Sequence, residues 1–295
     1  MSCKVEIVTQ GSSTTGIGHI RRSLTLVQYF DISGVNARIR PADLATLKVL
    51  TSWLDFSSKM LVDAVNGSSQ LTLVDVPKGG EYWIKMARCA NCPVIALDYF
   101  GDEIPDLTIS CFEHFHPIPK GMRISGLEYV VIRNEIQQIK STVPSHGILV
   151  LFGGADTKCL GPQIAKRLSE YFDQKVTLVL GPLAPSVDST DSFEIIRTPF
   201  DLPQRMAACE WAVSNGGTSM LELMYLGKPV FVVPQTDAEL RFSELIKKRA
   251  GILGAGDIYP EMINIERLST VASRARELVD SRGSERLLHE VKKFL

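Results

Sequence analysis

Short β-branched runs, apolar at nearly every position, recur along this chain, and stretches with helical spacing lie between them. The clearest are Lys4–Val8, Leu71–Asp75, Val94–Leu97, Ile148–Phe152, Val176–Leu180 and Val230–Val233. A strand without polar alternation is one covered on both faces, which is how strands of a parallel sheet read. Strand–helix alternation then implies right-handed crossovers and an α/β fold. The early and late runs form two sets, separated by a polar, turn-like stretch at 133–146. The expected organisation is therefore a domain at 1–140 and a second at 141–295, consistent with a 295-residue chain at roughly 150 residues per domain. Leu287, Leu288, Val291 and Leu295 fall at helical spacing, so the last segment is expected to be an amphipathic helix that can pack back on the first domain.

Charge and cysteine content narrow the class. Lys and Arg number 32 against 33 Asp and Glu, a net charge of −1, which gives no nucleic-acid or anionic-membrane surface. No run approaches the ~18 apolar residues of a membrane span, and MSCKVEIVTQ lacks a signal-peptide core. Six cysteines are too sparse for a disulfide scaffold, so a reduced, cytoplasmic protein is expected.

The first run leads into Gly11-Ser-Ser-Thr-Thr-Gly-Ile-Gly-His-Ile-Arg-Arg22, and a helix should follow, because Ile20, Leu24, Val27 and Tyr29–Phe30 put an apolar stripe on one face. A strand–glycine turn–helix unit aims first-turn amides and the positive helix end at the strand's carboxyl edge, a geometry suited to phosphate. Gly16 and Gly18 permit positive φ and close backbone approach. The pattern is G-x-G-H, not G-x-G-x-x-G, and Arg38 and Arg40 occupy the next strand where a dinucleotide fold would offer an acid; NAD is disfavoured. His19, in the first helical turn, is either a base that takes a proton from a hydroxyl or water, or a packing residue. Arg21 and Arg22 are candidates for phosphate, although one of two adjacent helix arginines usually faces solvent.

Two further turns follow later runs. Ile148-Leu-Val-Leu-Phe-Gly-Gly-Ala-Asp156 places Gly153 and Gly154 after a strand, either at a ligand or in a tight connection. Trp211–Pro234 reads as strand, Gly216–Gly217 turn, short helix, Gly227 cap and strand. The amides of Gly217, Thr218 and Ser219, with their hydroxyls, would open that helix toward an anion. Glu222 either closes a capping box with Ser219 or accepts hydrogen bonds from a ribose diol. Gln235 and Asp237 follow the next strand, where they could grip sugar hydroxyls or simply form loop.

Taken together, G-x-G-H in the first half and Ser214-Asn215-Gly216-Gly217-Thr218 followed by Glu222 in the second resemble GT-B enzymes that handle nucleotide sugars. That resemblance implies two Rossmann-like domains whose parallel sheets face an interdomain cleft. Gly16–Leu26 is similar to the group containing the pseudaminic-acid-pathway UDP-sugar hydrolase and spore-coat polysaccharide proteins, and Ile148–Asp156 to its second-domain opening. Ser214–Pro234 is similar to the carboxyl-terminal domain of the lipid-II-forming N-acetylglucosaminyl transferase. The resemblance implies that His19 is the base, that amides around Gly216, Gly217 and Thr218 hold the diphosphate, that Glu222 holds the ribose, and that Gly181 lies near the nucleotide. The chain departs from the hydrolase pattern at Pro77, where a tyrosine is expected, and at Pro234-Gln235, where an Asn-Gln pair is expected.

The expected activity is therefore a glycosyltransferase that uses a nucleotide sugar, UDP-linked, in surface glycan synthesis. The alternatives are a UDP-sugar hydrolase of the nonulosonic-acid type and a nucleotide-sugar-binding protein without turnover. No D-x-D triplet occurs, so no metal or other cofactor is expected, and helix dipoles with Arg would neutralise the diphosphate. Cys89-Ala-Asn-Cys92 with His114 and His116 lacks zinc-ligand spacing and is read as ordinary thiols.

Overall fold

In a computed structural model of the chain, residues 4–53, 60–61, 69–111, 121–139 and 146–295 are described. The doubly covered runs form strands, and every described pairing between them is parallel. The chain divides into two compact units: Met1–Val131 with Ser281–Leu295, and Ile132–Asp280. The boundary expected at 140/141 falls in 140–145, outside the described residues.

The first unit runs β1 (Val5–Thr9), α1 (Gly18–Ile32), β2 (Ala37–Pro41), α2 (Leu44–Trp53), β3 (Leu71–Asp75), α3 (Gly80–Cys89), β4 (Val94–Leu97), β5 (Leu107–Ser110) and β6 (Arg123–Ser125). Its sheet has the order β2-β1-β3-β4-β5-β6. Helix α1 buries Ile20, Leu26, Val27 and Phe30, which follows from their helical spacing. Helix α3 buries Ile84 and Ala87 against Val8, Val74, Val94 and Ala96.

The second unit runs α4 (Asn134–Gln137), β7 (Ile148–Leu151), α5 (Gly161–Tyr171), β8 (Val176–Leu180), β9 (Glu194–Arg197), α6 (Leu202–Ala208), β10 (Trp211–Ser214), α7 (Thr218–Tyr225), β11 (Val230–Val232), α8 (Asp237–Lys248), β12 (Gly254–Ala255) and α9 (Leu268–Leu278). Its sheet order, β12-β11-β10-β7-β8-β9, is, read from β9, the 3-2-1-4-5-6 order of a complete dinucleotide-binding sheet when β7 is counted first. Fully buried Trp211 anchors the core, with Phe172 edge-on at 5.5 Å. The chain then returns to the first unit as α10 (Gly283–Lys292), whose buried Leu287, Leu288 and Val291 form its apolar stripe. Gly283 sits so close to Val130 that a Cβ would fall 1.9 Å from its carbonyl oxygen.

Four strands absent from the sequence reading are β5, β6, β9 and β12. The last three are short, edge or near-edge strands, and β9, Glu-Ile-Ile-Arg, has charged ends rather than a β-branched run. Among the described residues no helix is long and apolar enough to cross a membrane.

In open parallel sheets, ligands collect beyond the carboxyl ends of the strands, where the strand order reverses. That point lies between β1 and β3 in the first unit and between β7 and β10 in the second.

Candidate functional site

In the first unit, β1 and β3 pair in register, Thr9 opposite Asp75, so both strand ends meet at the switch point. The chain leaves β1 through a tight Ser/Thr turn. Ser12 and Gly16 exchange two backbone hydrogen bonds of 3.1 and 2.8 Å, and Gly16 takes φ 74° to close it. Helix α1 begins at Gly18 with no side-chain cap and no acid in its first turn.

His19, in that first turn, points its Nδ1 at Asp75 Oδ1, 2.7 Å away. The Asp75 side chain is fully buried and that of His19 is 26% exposed. Asp75 can only accept here. Burial would raise its pKa, but the Arg22 charge and the His19 contact outweigh burial and hold it well below the usual carboxylate range. A carboxylate accepting at Nδ1 fixes the neutral ring as the Nδ1–H tautomer and leaves the Nε2 lone pair available for a proton. No partner for His19 is evident in the sequence; the structure supplies a buried one 56 residues away.

Arg22, expected at a phosphate, is instead turned inward, with its side chain only 12% exposed. Its Nε and Nη2 donate to the two oxygens of Asp75, and Nη1 pairs with Asp98. Ser23 Oγ also donates to Asp75, at 3.0 Å. Asp98 follows β4 in a left-handed conformation, φ 48°, which Asp adopts more readily than most residues. Its Oδ1 accepts from Ser110 Oγ at 2.8 Å and from the Cys111 amide at 3.0 Å. Burial and the neighbouring Asp98 push the Cys111 thiol well up, so it stays protonated. Arg21 lies half-buried on the same helix.

In the second unit, Gly153 (φ 63°) and Gly154 follow β7. Gly181, after β8, lies directly against them: a Cβ there would fall 2.3 Å from the Gly153 oxygen. Arg197 holds the loop after Gly181 through the carbonyls of Gly181, Ala184 and Pro185 at 3.2, 2.9 and 2.8 Å. Beyond β9 the Phe200 ring is 99% exposed, an aromatic the sequence reading did not single out. The turn after β7 does not run straight into α5. Buried Asp156 closes that helix, accepting from the amides of Leu160 and Gly161 at 3.0 and 2.9 Å.

Helix α7, at the other side of the switch point, starts at Thr218 with Gly217 as N-cap and no side-chain cap. Ser219 lies inside the helix, so the capping box with Glu222, one of the two readings of that residue, is absent. The Glu222 carboxylate, 5% exposed, is held by Arg133, whose Nε and Nη2 donate at 2.5 and 2.7 Å. Burial would lower the Arg133 pKa, and Glu222 reverses this and raises it. Asn215 and the Gln235 amide both bond to Glu239, at 2.6 and 2.7 Å. Gln235, expected at a sugar, has both ends of its side-chain amide engaged, by Thr157 and by Asp156. Asp237 is exposed in the first turn of α8. Gly216 is buried beneath α8, where a Cβ would meet Glu239 and Ser243 at 2.9 Å.

Cys89 is an exposed free thiol and Cys92 a half-buried one. His114 and His116 lie outside the described residues. Among the described residues no three His, Cys, Asp or Glu groups converge on a metal position.

No protein-family model matches the chain. It is 22% identical over 283 residues to the uncharacterized protein MJ1062 of Methanocaldococcus jannaschii, covering 83% of this chain and 58% of that one. It is 22% identical over 184 residues to the spore coat polysaccharide biosynthesis protein SpsG of Bacillus subtilis, covering 54% of each. The chain thus spans between half and three-fifths of the length of the curated relatives it matches. Among solved structures, MurG of Acinetobacter baumannii superposes with a TM-score of 0.62 at 12% identity, covering 98% of this chain and 99% of that one. The spinosyn forosaminyltransferase SpnP gives 0.65 at 12% identity, covering 99% of each chain. The spinosyn rhamnosyltransferase SpnG, complexed with thymidine diphosphate, gives 0.60 at 12% identity, covering 98% and 100%. Two Rossmann-like units, each built on a six-stranded parallel sheet, therefore give this chain the GT-B fold of those glycosyltransferases.

Proposed function

We propose that the chain is a metal-independent glycosyltransferase that takes a nucleoside diphosphate sugar, UDP-linked, and acts in cytoplasmic synthesis of surface polysaccharide or another glycan. The observation that carries this reading is the His19–Asp75 pair at the first unit's switch point, a base held in the right tautomer by a buried carboxylate. An acceptor hydroxyl gives its proton to His19 Nε2 as its oxygen bonds to the anomeric carbon. The carbon–oxygen bond to the diphosphate breaks, and the electron pair stays on the diphosphate oxygen.

The uncapped start of α7 suits the charge that grows there, because the amides of Gly217, Thr218 and Ser219 and the helix dipole face an anion without competition from a capping side chain. The Gly153–Gly154–Gly181 contact and the Arg197-clamped loop would frame the nucleoside, with exposed Phe200 as a stacking surface for its base. Glu222 would receive ribose hydroxyls on the lone pairs that Arg133 leaves, since a carboxylate offers about four.

Water in place of the acceptor makes the same groups a nucleotide-sugar hydrolase. The similarity to a spore-coat polysaccharide protein, whose group the Gly16–Leu26 motif resembles, keeps this as the second reading. A panel of UDP- and TDP-sugars, incubated with and without candidate glycan acceptors, tests both. Acceptor-dependent nucleoside diphosphate release supports the transferase, and release in acceptor-free buffer supports the hydrolase. Binding without release of any donor overturns both and leaves a binding protein.

A further inference from the structure

The Asp75 carboxylate alone would suffice to orient His19, yet it is the inner member of a larger cluster. Asp75 closes β3 and Asp98 follows β4, neighbouring strands of one sheet, and Arg22 bridges the two carboxylates. Its fork meets both Asp75 oxygens, which fixes the carboxylate plane, while Nη1 is anchored on Asp98. Asp98 is in turn held by Ser110, by the Cys111 amide and by its own left-handed backbone. A non-glycine residue in that conformation persists only where its surroundings determine it, and such positions gather at functional sites.

The charges have a consequence. With His19 neutral, one guanidinium faces two carboxylates and the cluster carries one net negative charge. A proton arriving on His19 brings it to zero. Without the Asp98 charge the same proton would leave an excess positive charge beside groups shielded from water.

We infer that Asp98 is a positioning residue for proton transfer, acting through Arg22 and Asp75 to hold the His19 ring and to balance the proton it receives. This rests on His19 being the base. Asp98→Asn is the informative change, because the amide oxygen can still accept from Ser110 and Cys111 while the negative charge facing Arg22 is lost.

The test measures donor turnover, nucleotide affinity and the downfield Nδ1–H proton resonance of His19, assigned by its loss in His19→Gln. For Asp98→Asn the expectation is a fall in kcat of about tenfold or more, because misplacement of a reacting group is costly. Nucleotide affinity should be unchanged, and the Nδ1–H resonance should broaden through faster exchange with solvent. In an Arg22→Gln background the same substitution should have little further effect. Wild-type kcat with an unaltered resonance in Asp98→Asn overturns the inference and leaves His19 as the base. Full activity in His19→Gln overturns the base assignment instead, and the resonance still reports whether Asp98 governs the ring.

Discussion

Removing Arg133 leaves the Glu222 carboxylate nine-tenths buried with no countercharge. The two side chains are 15% and 5% exposed and share hydrogen bonds of 2.5 and 2.7 Å. With charge centres about 4 Å apart and an effective dielectric near 20, their attraction is about 4 kcal/mol. Breaking such a pair by removing one partner costs about 3–5 kcal/mol, because the other charge is stranded. Arg133→Met should therefore shift the folding equilibrium of the second unit by a factor on the order of 10³. Replacing both, Arg133→Met with Glu222→Leu, should be close to neutral, since the desolvation cost of two ions disappears with their attraction. Urea unfolding provides the assay, followed by Trp211 fluorescence in a Trp53→Phe, Trp83→Phe background so that the fully buried reporter belongs to the second unit alone. The four proteins of the cycle give the coupling directly. A single-variant loss below about 1 kcal/mol, the level of an exposed pair, would refute the reasoning. It would mean that water reaches Glu222 once Arg133 is gone.

His19→Ala should abolish most turnover yet leave UDP affinity, measured by calorimetry, unchanged; weakened binding with retained turnover would reverse the two roles. Phe200→Ala should weaken UDP binding without altering protein stability, since the ring is almost fully exposed; equal affinities for UDP remove it from the nucleotide. Gly181→Ala should disrupt the Gly153–Gly154 turn, because the added Cβ would overlap two carbonyl oxygens; a variant as stable as the wild type, with undiminished UDP affinity, would contradict that packing. Because Asp75 is held below its ordinary range when folded, its contribution is complete above the unfolded value of about 4 and disappears as pH falls through the lower folded value. Denaturation between pH 3 and 7 should accordingly show the wild type losing stability toward the acid end more steeply than Asp75→Asn; parallel curves would exclude Asp75 as the titrating group.

Much of the framework could be read from residue order, because doubly buried parallel strands leave continuous apolar runs. Leu71–Asp75, Val94–Leu97 and Val176–Leu180 match their strands residue for residue. Two edge strands offered no such signal: Gly254–Ala255 has no length to carry a pattern, and Glu194–Arg197 is charged at both ends. The glycine turns after β1 and β10 were legible for the same local reason, since a strand, a glycine turn and a helix start follow one another along the chain. The partners of the site were not. His19 and Asp75 are 56 positions apart, and Arg133 and Glu222 89, so only the tertiary fold brings each pair together. The available hint was that Asp75 and Asp98 each stand at a strand's carboxyl end, where a parallel sheet gathers its polar groups. Arg22 could not have been assigned from its neighbour Arg21, because helix phase alone does not reveal that two acids wait beneath one of them.

The return of α10 to the first unit bears on biosynthesis. Residues 132–280 are contiguous, so the whole of the second unit is polymerised before Ser281 is added. The earlier-made unit, which carries His19, must wait for Leu287, Leu288 and Val291 before its apolar interior is sealed. Synthesis order and completion order are thereby inverted, and a premature stop near residue 280 would spare the later-made half while leaving the nascent amino-terminal half open to proteases and chaperones.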